Sequence, residues 1–213
     1  MVLRDIFILV LSLLLATPLF SQTRSSDKSK KYNKVGKLKI DTSFQASYLQ
    51  DFMVPFNQCE DLKDCRIKVK TKNLKTTMAA RPHFFSLFLG KKNRRYTILI
   101  NKNEEFNGVL LKDVPSDARV GLFAHELMHI RDYNSKGAAG VMQLGFQYLS
   151  IKGKTKVEHR TDSLTIAAGF GQQLYEWAHY VLHDSNACEE YKSFKEEVYM
   201  SPVRILGQME QKQ

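Results

Sequence analysis

The sequence predicts an α+β fold, a small antiparallel sheet followed by a helical half, on three observations. Short segments of alternating apolar and polar residues lie in the first half, around Arg66–Lys70 and Tyr96–Asn101. From Pro115 onward the apolar residues recur at helical spacing and continue to do so. The chain has 213 residues, 43% of them apolar and 25% charged. That is enough for one domain with a real core, and the composition excludes a disordered, collagen-like or coiled-coil body.

Residues 1–21 read as a signal peptide: Arg4 precedes an apolar run from Ile6 to Ala16, and Ser21 ends a stretch suited to cleavage. The run from Ile6 to Phe20 is shorter than the ~20 residues that span a bilayer. Export to the periplasm or the cell exterior is therefore expected. Residues 22–39 read as a basic flexible tail, with seven cations from Arg24 to Lys39 against Asp27 alone. Such a tail fits an anionic envelope surface, or is simply a solvated linker. It carries no aromatic-rich or arginine-rich pattern, so no nucleic-acid partner is expected.

Residues 40–213 form the expected domain. A helix is predicted from Asp41 to about Val54, because Phe44, Tyr48 and Phe52 recur at four-residue steps and Asp41 can cap the start. Strands follow at Arg66–Lys70, His83–Leu89 and Tyr96–Asn101, the last two joined by a hairpin turn at Gly90-Lys91-Lys92-Asn93. Helices are predicted at about 116–133, 138–150, 155–170, 174–183 and 189–199. Cys59 and Cys65 are spaced to close a small disulfide loop in an oxidising compartment, leaving Cys188 as the odd thiol.

The chemistry centres on His125-Glu126-Leu127-Met128-His129. Histidines four apart share a helix face and offer two imidazole ligands to one Zn²⁺, which needs a third protein ligand and an open position for water. Glu126, next to His125, lies beside that water and can act as general base. Leu122, Phe123, Leu127, Met128 and Ile130 give the helix an apolar envelope. Gly121, one turn before His125, leaves room for a neighbouring strand or for substrate.

Residues Gly121 to His129 resemble the active-site helix of zincin metallopeptidases, which implies a zincin-like fold, one zinc ion and a peptide or protein substrate. The metzincin continuation is missing, since Asp132 and Ser135 hold the places of its glycine and third histidine. The gluzincins, including thermolysin-like and HtpX-like peptidases, place a Glu on a following helix, and the thermolysin-like pattern adds an Asp four residues later. Glu158-His159-Arg160-Thr161-Asp162 matches that arrangement. The resemblance implies Glu158 as third ligand and Asp162 as acceptor of a hydrogen bond from a ligating histidine. It also implies that a strand above the metal pairs with the substrate backbone, and Tyr96–Asn101 is the candidate.

Rival third ligands remain open. Thr155-Lys156-Val157-Glu158 is also a capping-box pattern, in which Glu158 would serve its own helix and Asp162 would be the ligand. His159 and Asp132 are the other two. A non-catalytic zinc-binding or envelope-interaction protein on the same fold is the alternative to a peptidase. His179 and His183 form a second pair four apart, but no acid follows the first of them.

Overall fold

A computed structural model describes residues 32–41 and 44–211. The signal-peptide segment and residues 22–31 of the basic stretch lie outside the described residues. The described chain is mixed α and β, with a small sheet and a mostly helical remainder.

The sheet has strands β1 (Tyr32–Val35), β2 (Leu38–Asp41), β3 (Arg66–Lys72), β4 (Met78–Pro82) and β5 (Arg95–Asn101), in spatial order β1-β2-β3-β5-β4. It is not antiparallel throughout. β1 and β2 form a hairpin and β4 pairs antiparallel with β5, but β2–β3 and β3–β5 are parallel. The parallel pairings need crossovers, and helix α1 (Ala46–Gln58) lies within the first of them.

Several expectations from the sequence are corrected here. The second half of the supposed tail is the β1–β2 hairpin, turned by Gly36 at φ +58, a value that favours glycine. Lys34, Lys37 and Lys39 hide it in the sequence, because two four-residue strands are too short to show an alternation. Asp41 belongs to β2 rather than capping α1, which starts five residues later and accommodates Pro55 within it. His83–Leu89 is not a strand. Residues Phe84–Phe88 make a tight 3₁₀ turn and Lys91–Asn93 another, so a long connection replaces the expected hairpin. The true partner of β5 is β4, whose Met78-Ala79-Ala80-Arg81-Pro82 is too small and too short to show alternation.

The helical half contains α2 (Ser116–Ser135), α3 (Ala138–Gln147), α4 (Ile151–Thr165), α5 (Gly171–His179), α6 (Glu189–Val198) and α7 (Pro202–Glu210). Wider π-type turns continue α4 through Ile166–Phe170 and α5 through Tyr180–Asp184. Gly169, at φ +89, breaks the run between α4 and α5. Among the described residues no helix is long and apolar enough to cross a membrane.

Helix α2 is the centre of the core, with every residue from Gly121 to Ile130 buried. On one side Phe123 meets Phe52 edge-to-face at 5.5 Å and Phe44 at 6.1 Å. On another, α2 and α5 are in extensive contact. That contact explains Gly121: a Cβ there would lie 2.0 Å from the Gln173 carbonyl oxygen and 2.7 Å from the Leu174 nitrogen. The space serves a neighbouring helix backbone, not a strand or substrate. Gly121→Ala should therefore force the two helices apart. We expect a loss of about 3 kcal/mol or more, read as a melting temperature lower by roughly 10 °C for a domain of this size.

Cys59 and Cys65 are free, buried thiols, so the expected disulfide is absent. Burial, then the nearby Asp61, pushes both up to about 11, which keeps them protonated and unreactive.

Candidate metal centre

Three buried side chains from two helices converge. His125 and His129 descend from α2, and Glu158 comes from α4; they are 4%, 5% and 3% exposed. Glu158 Oε2 lies 3.1 Å from His125 Nε2 and 3.2 Å from His129 Nε2. One potential ligand atom from each of the three lies within 4.8 Å of the other two, so the group could hold a metal ion.

The rest of the hydrogen bonding decides how these atoms face one another. Asp162 Oδ1 is 2.8 Å from His125 Nδ1 and can only accept, so that nitrogen carries the proton. Asp162 Oδ2 accepts the Met200 backbone N–H at 3.0 Å, which fixes the carboxylate. The Thr161 hydroxyl donates to the Val157 carbonyl at 3.0 Å and therefore accepts from His129 Nδ1 at 3.1 Å. With both Nδ1 atoms protonated, a neutral imidazole at either position turns a bare Nε2 lone pair toward Glu158 Oε2. Glu158 Oε1 meanwhile accepts the Tyr148 hydroxyl at 2.9 Å, leaving Oε2 as the oxygen offered to the cluster. Two nitrogen lone pairs and a carboxylate oxygen at such distances repel unless a positive charge lies among them. A proton can supply it, and so can a divalent cation; two imidazoles and a carboxylate form a set that zinc accepts.

Without metal, a proton on His125 supplies the positive charge. Burial opposes protonation of His125, but its hydrogen bonds with Asp162 and Glu158 outweigh that and push it up to about 10. Burial alone would raise Glu158; the charge of His129 and hydrogen bonds from both histidines hold it well below the usual carboxylate range. The consequences for stability have a definite sign. The His125 contribution is complete below its ordinary value of 6.5 and is lost as pH rises toward about 10. That of Glu158 is complete above 4.5 and is lost as pH falls below it. The metal-free protein should thus melt highest between about pH 4.5 and 6.5. A metal ion held by the three side chains would compete with the His125 proton, so the gap in melting temperature between metal-loaded and chelator-treated samples should widen from pH 6 to pH 9. Calorimetry across that range measures both; a gap that narrows with pH would contradict this assignment of the charges.

The other candidate ligands are placed elsewhere. Asp132 is buried but ion-paired, with Arg160 at 2.7 Å and with Lys136. His159 is outside the cluster, with its Nε2 buried and unpartnered. The capping-box reading of Glu158 is excluded, because α4 begins four residues before Thr155. Ser150 caps it, its hydroxyl accepting the Gly153 N–H at 3.1 Å. His179 pairs with Asp184 at 3.2 Å, and Tyr180 donates to the Asp113 carbonyl.

Glu126, 5% exposed, accepts the backbone N–H of Ala80. Asn101 N–H donates to Thr77 O and His83 N–H to Arg95 O, so odd-numbered residues of β4 face β5. Ala80 consequently points its N–H out from the sheet, because β4 is an edge strand. This corrects the placement of the edge: β5 is enclosed between β3 and β4, and the strand beside Glu126 is β4.

Comparison with protein-family models, with curated proteins and with solved structures gave no match. What the centre can do therefore rests on its own residues. Those that the sequence does not single out are Thr161, Tyr148, Ala80 and Met200. The first carries a weak signal, since it lies one turn after Val157 on the buried face of α4. The others come from separate elements and carry none.

Around the cluster are three phenols. Tyr133 stacks against His129 at 6.0 Å, Tyr199 lies 5.8 Å from the His125 ring, and Tyr148 bonds Glu158. Burial first, and the Glu158 charge second, holds each phenol above its ordinary pKa, so all three are O–H donors at neutral pH.

Proposed function

We propose that this chain is an exported zinc-dependent peptidase of gluzincin type. The observation that carries the reading is the convergence of His125 Nε2, His129 Nε2 and Glu158 Oε2, with Glu126 beside them on the same helix. A bound Zn²⁺ supplies Lewis-acid polarisation of a carbonyl and lowers the pKa of a water molecule. His125, His129 and Glu158 would hold it; Asp162 and Thr161 keep both imidazoles turned with Nε2 inward. Glu126 takes a proton from the attacking water and returns it to the leaving amine. The buried phenols of Tyr133 and Tyr199 would supply donors for the oxyanion, Tyr148 being engaged by Glu158.

Substrate enters this reading through β4. An extended peptide can add to an exposed strand edge through main-chain hydrogen bonds. Its arrival would compete for the Ala80 N–H and free the Glu126 carboxylate for the water. The deep burial of the site requires such a displacement before any peptide reaches it.

The same burial, with Glu126 held by a backbone amide, favours a second reading: a zinc-binding protein that turns over no peptide. Zinc content, and peptide cleavage by the wild type beside Glu126→Gln, separate the two. Export rests on residues 1–21 alone, and the tail reading keeps its anionic partner only for residues 22–31.

A further inference from the structure

The connection from β4 to β5 presents an apolar surface that the core does not use. Phe84, Phe85, Phe88 and Leu89 are 50%, 68%, 62% and 48% exposed, four large apolar side chains within six residues. They are not a loose loop. Ser86 and Leu87 are buried between them, and the Ser86 hydroxyl donates to the His83 carbonyl at 2.7 Å and accepts the Arg95 N–H at 3.0 Å. Arg94, also buried, ties the far end to the Tyr133 and Lys136 carbonyls at the end of α2. The rings touch one another, Phe84 to Phe85 at 5.5 Å and Phe84 to Phe88 at 5.7 Å. A rigid turn thus holds a cluster of rings away from the body of the protein.

Charge identifies what such a turn fits. From Arg81 to Arg95 there are four exposed cations, Arg81, Lys91, Lys92 and Arg95, and no acid. The turn packs on α3, and the segment from Tyr133 to Val157, which includes α3, has no acid and exposes Lys152 and Lys156, while Lys136 is paired with Asp132. That segment exposes Phe146, Leu149 and Ile151 as well. Protein interfaces enrich aromatic residues but deplete lysine. A bilayer surface uses both, with rings entering the acyl boundary and lysines meeting anionic headgroups.

We propose that the Phe84–Leu89 turn is a membrane-docking wedge that inserts into an anionic lipid surface, with the exposed Lys92 at the headgroups and Lys91 Nζ held by the Ser135 carbonyl at 3.0 Å. The proposal stands whether or not the metal centre cleaves peptides. It would bring the β4 edge, which leads directly into the turn, close to the bilayer.

The test uses the full chain with Phe85→Trp, mixed with vesicles of phosphatidylcholine alone or with phosphatidylglycerol, each containing lipids brominated on the acyl chain. Trp177 is buried, so it provides a constant background. Because quenching is read at position 85, binding through the apolar run at residues 6–20 does not register. We expect strong quenching in the anionic vesicles only, abolished by adding Phe84→Ser and Phe88→Ser. Lys92→Gln should weaken it about fivefold in lipid concentration. These substitutions are at exposed side chains, and an unchanged circular dichroism spectrum shows that the fold survives. No quenching in either vesicle overturns the proposal, and equal quenching in both overturns the anionic assignment. No quenching, with a dimer that Phe84→Ser and Phe88→Ser dissociate in solution, assigns the surface to a second copy and likewise overturns it.

Discussion

Glu126→Gln should reduce peptide hydrolysis by about 10³-fold, within the range general-base catalysis contributes, while the protein keeps one zinc per chain. The amide has nearly the same shape but cannot take a proton from water. It can still accept the Ala80 N–H, so β4 should stay in place. Metal analysis of the purified variant checks the first half, and single-turnover cleavage of a peptide library checks the second. Cleavage unchanged in Glu126→Gln would sink the proposed mechanism. Zinc bound by both proteins with no turnover by the wild type would instead establish the non-catalytic reading.

Substitutions along α4 should divide sharply by position. Glu158→Ala removes the carboxylate oxygen that both Nε2 atoms face, and we expect zinc to be lost at micromolar concentrations. Asp162→Asn keeps the shape but exchanges a carboxylate for an amide beside His125 Nδ1; weakening of zinc affinity by about 10–100-fold is expected from losing such a support. Thr161→Val leaves His129 Nδ1 without its acceptor and should fall in the same range. Competition with a coloured chelator measures all three. If Asp162→Asn lost zinc outright while Glu158→Ala retained it, the ligand roles of the two carboxylates would be exchanged. Asp132 is no rival in this experiment, since its carboxylate is engaged by Arg160 and Lys136.

The helical half was more legible in the sequence than the sheet. Helix α2 matches its expected span within two residues, because its apolar content and the break at Pro115 are local signals. The sequence signal places the start of α4 four residues late: Thr155 carries a capping pattern, but Ser150 caps the helix that forms. This difference settles the place of Glu158, since a residue in the second turn of a continuing helix has no cap to make. The small strands left little trace. β4 owes its existence to pairing with β5 and to the Ala80–Glu126 contact, neither of which is recorded in its own five residues.

By itself, the sequence determined that His125 and His129 share a helix face, that Glu126 adjoins them, and that Glu158 and Asp162 share another. Those relations follow from 3.6 residues per turn and need no other part of the molecule. Only the tertiary structure decided that the two faces meet, that Thr161 and Asp162 orient the imidazoles, and that β4, not β5, provides the exposed edge. It also showed that Phe84–Leu89 is an outward turn and not a strand. Helical spacing is a local property of the chain, whereas side chains from different elements meet only once packing has brought their backbones together. Gly121, whose missing side chain lets α5 lie against α2, is where that packing is tightest.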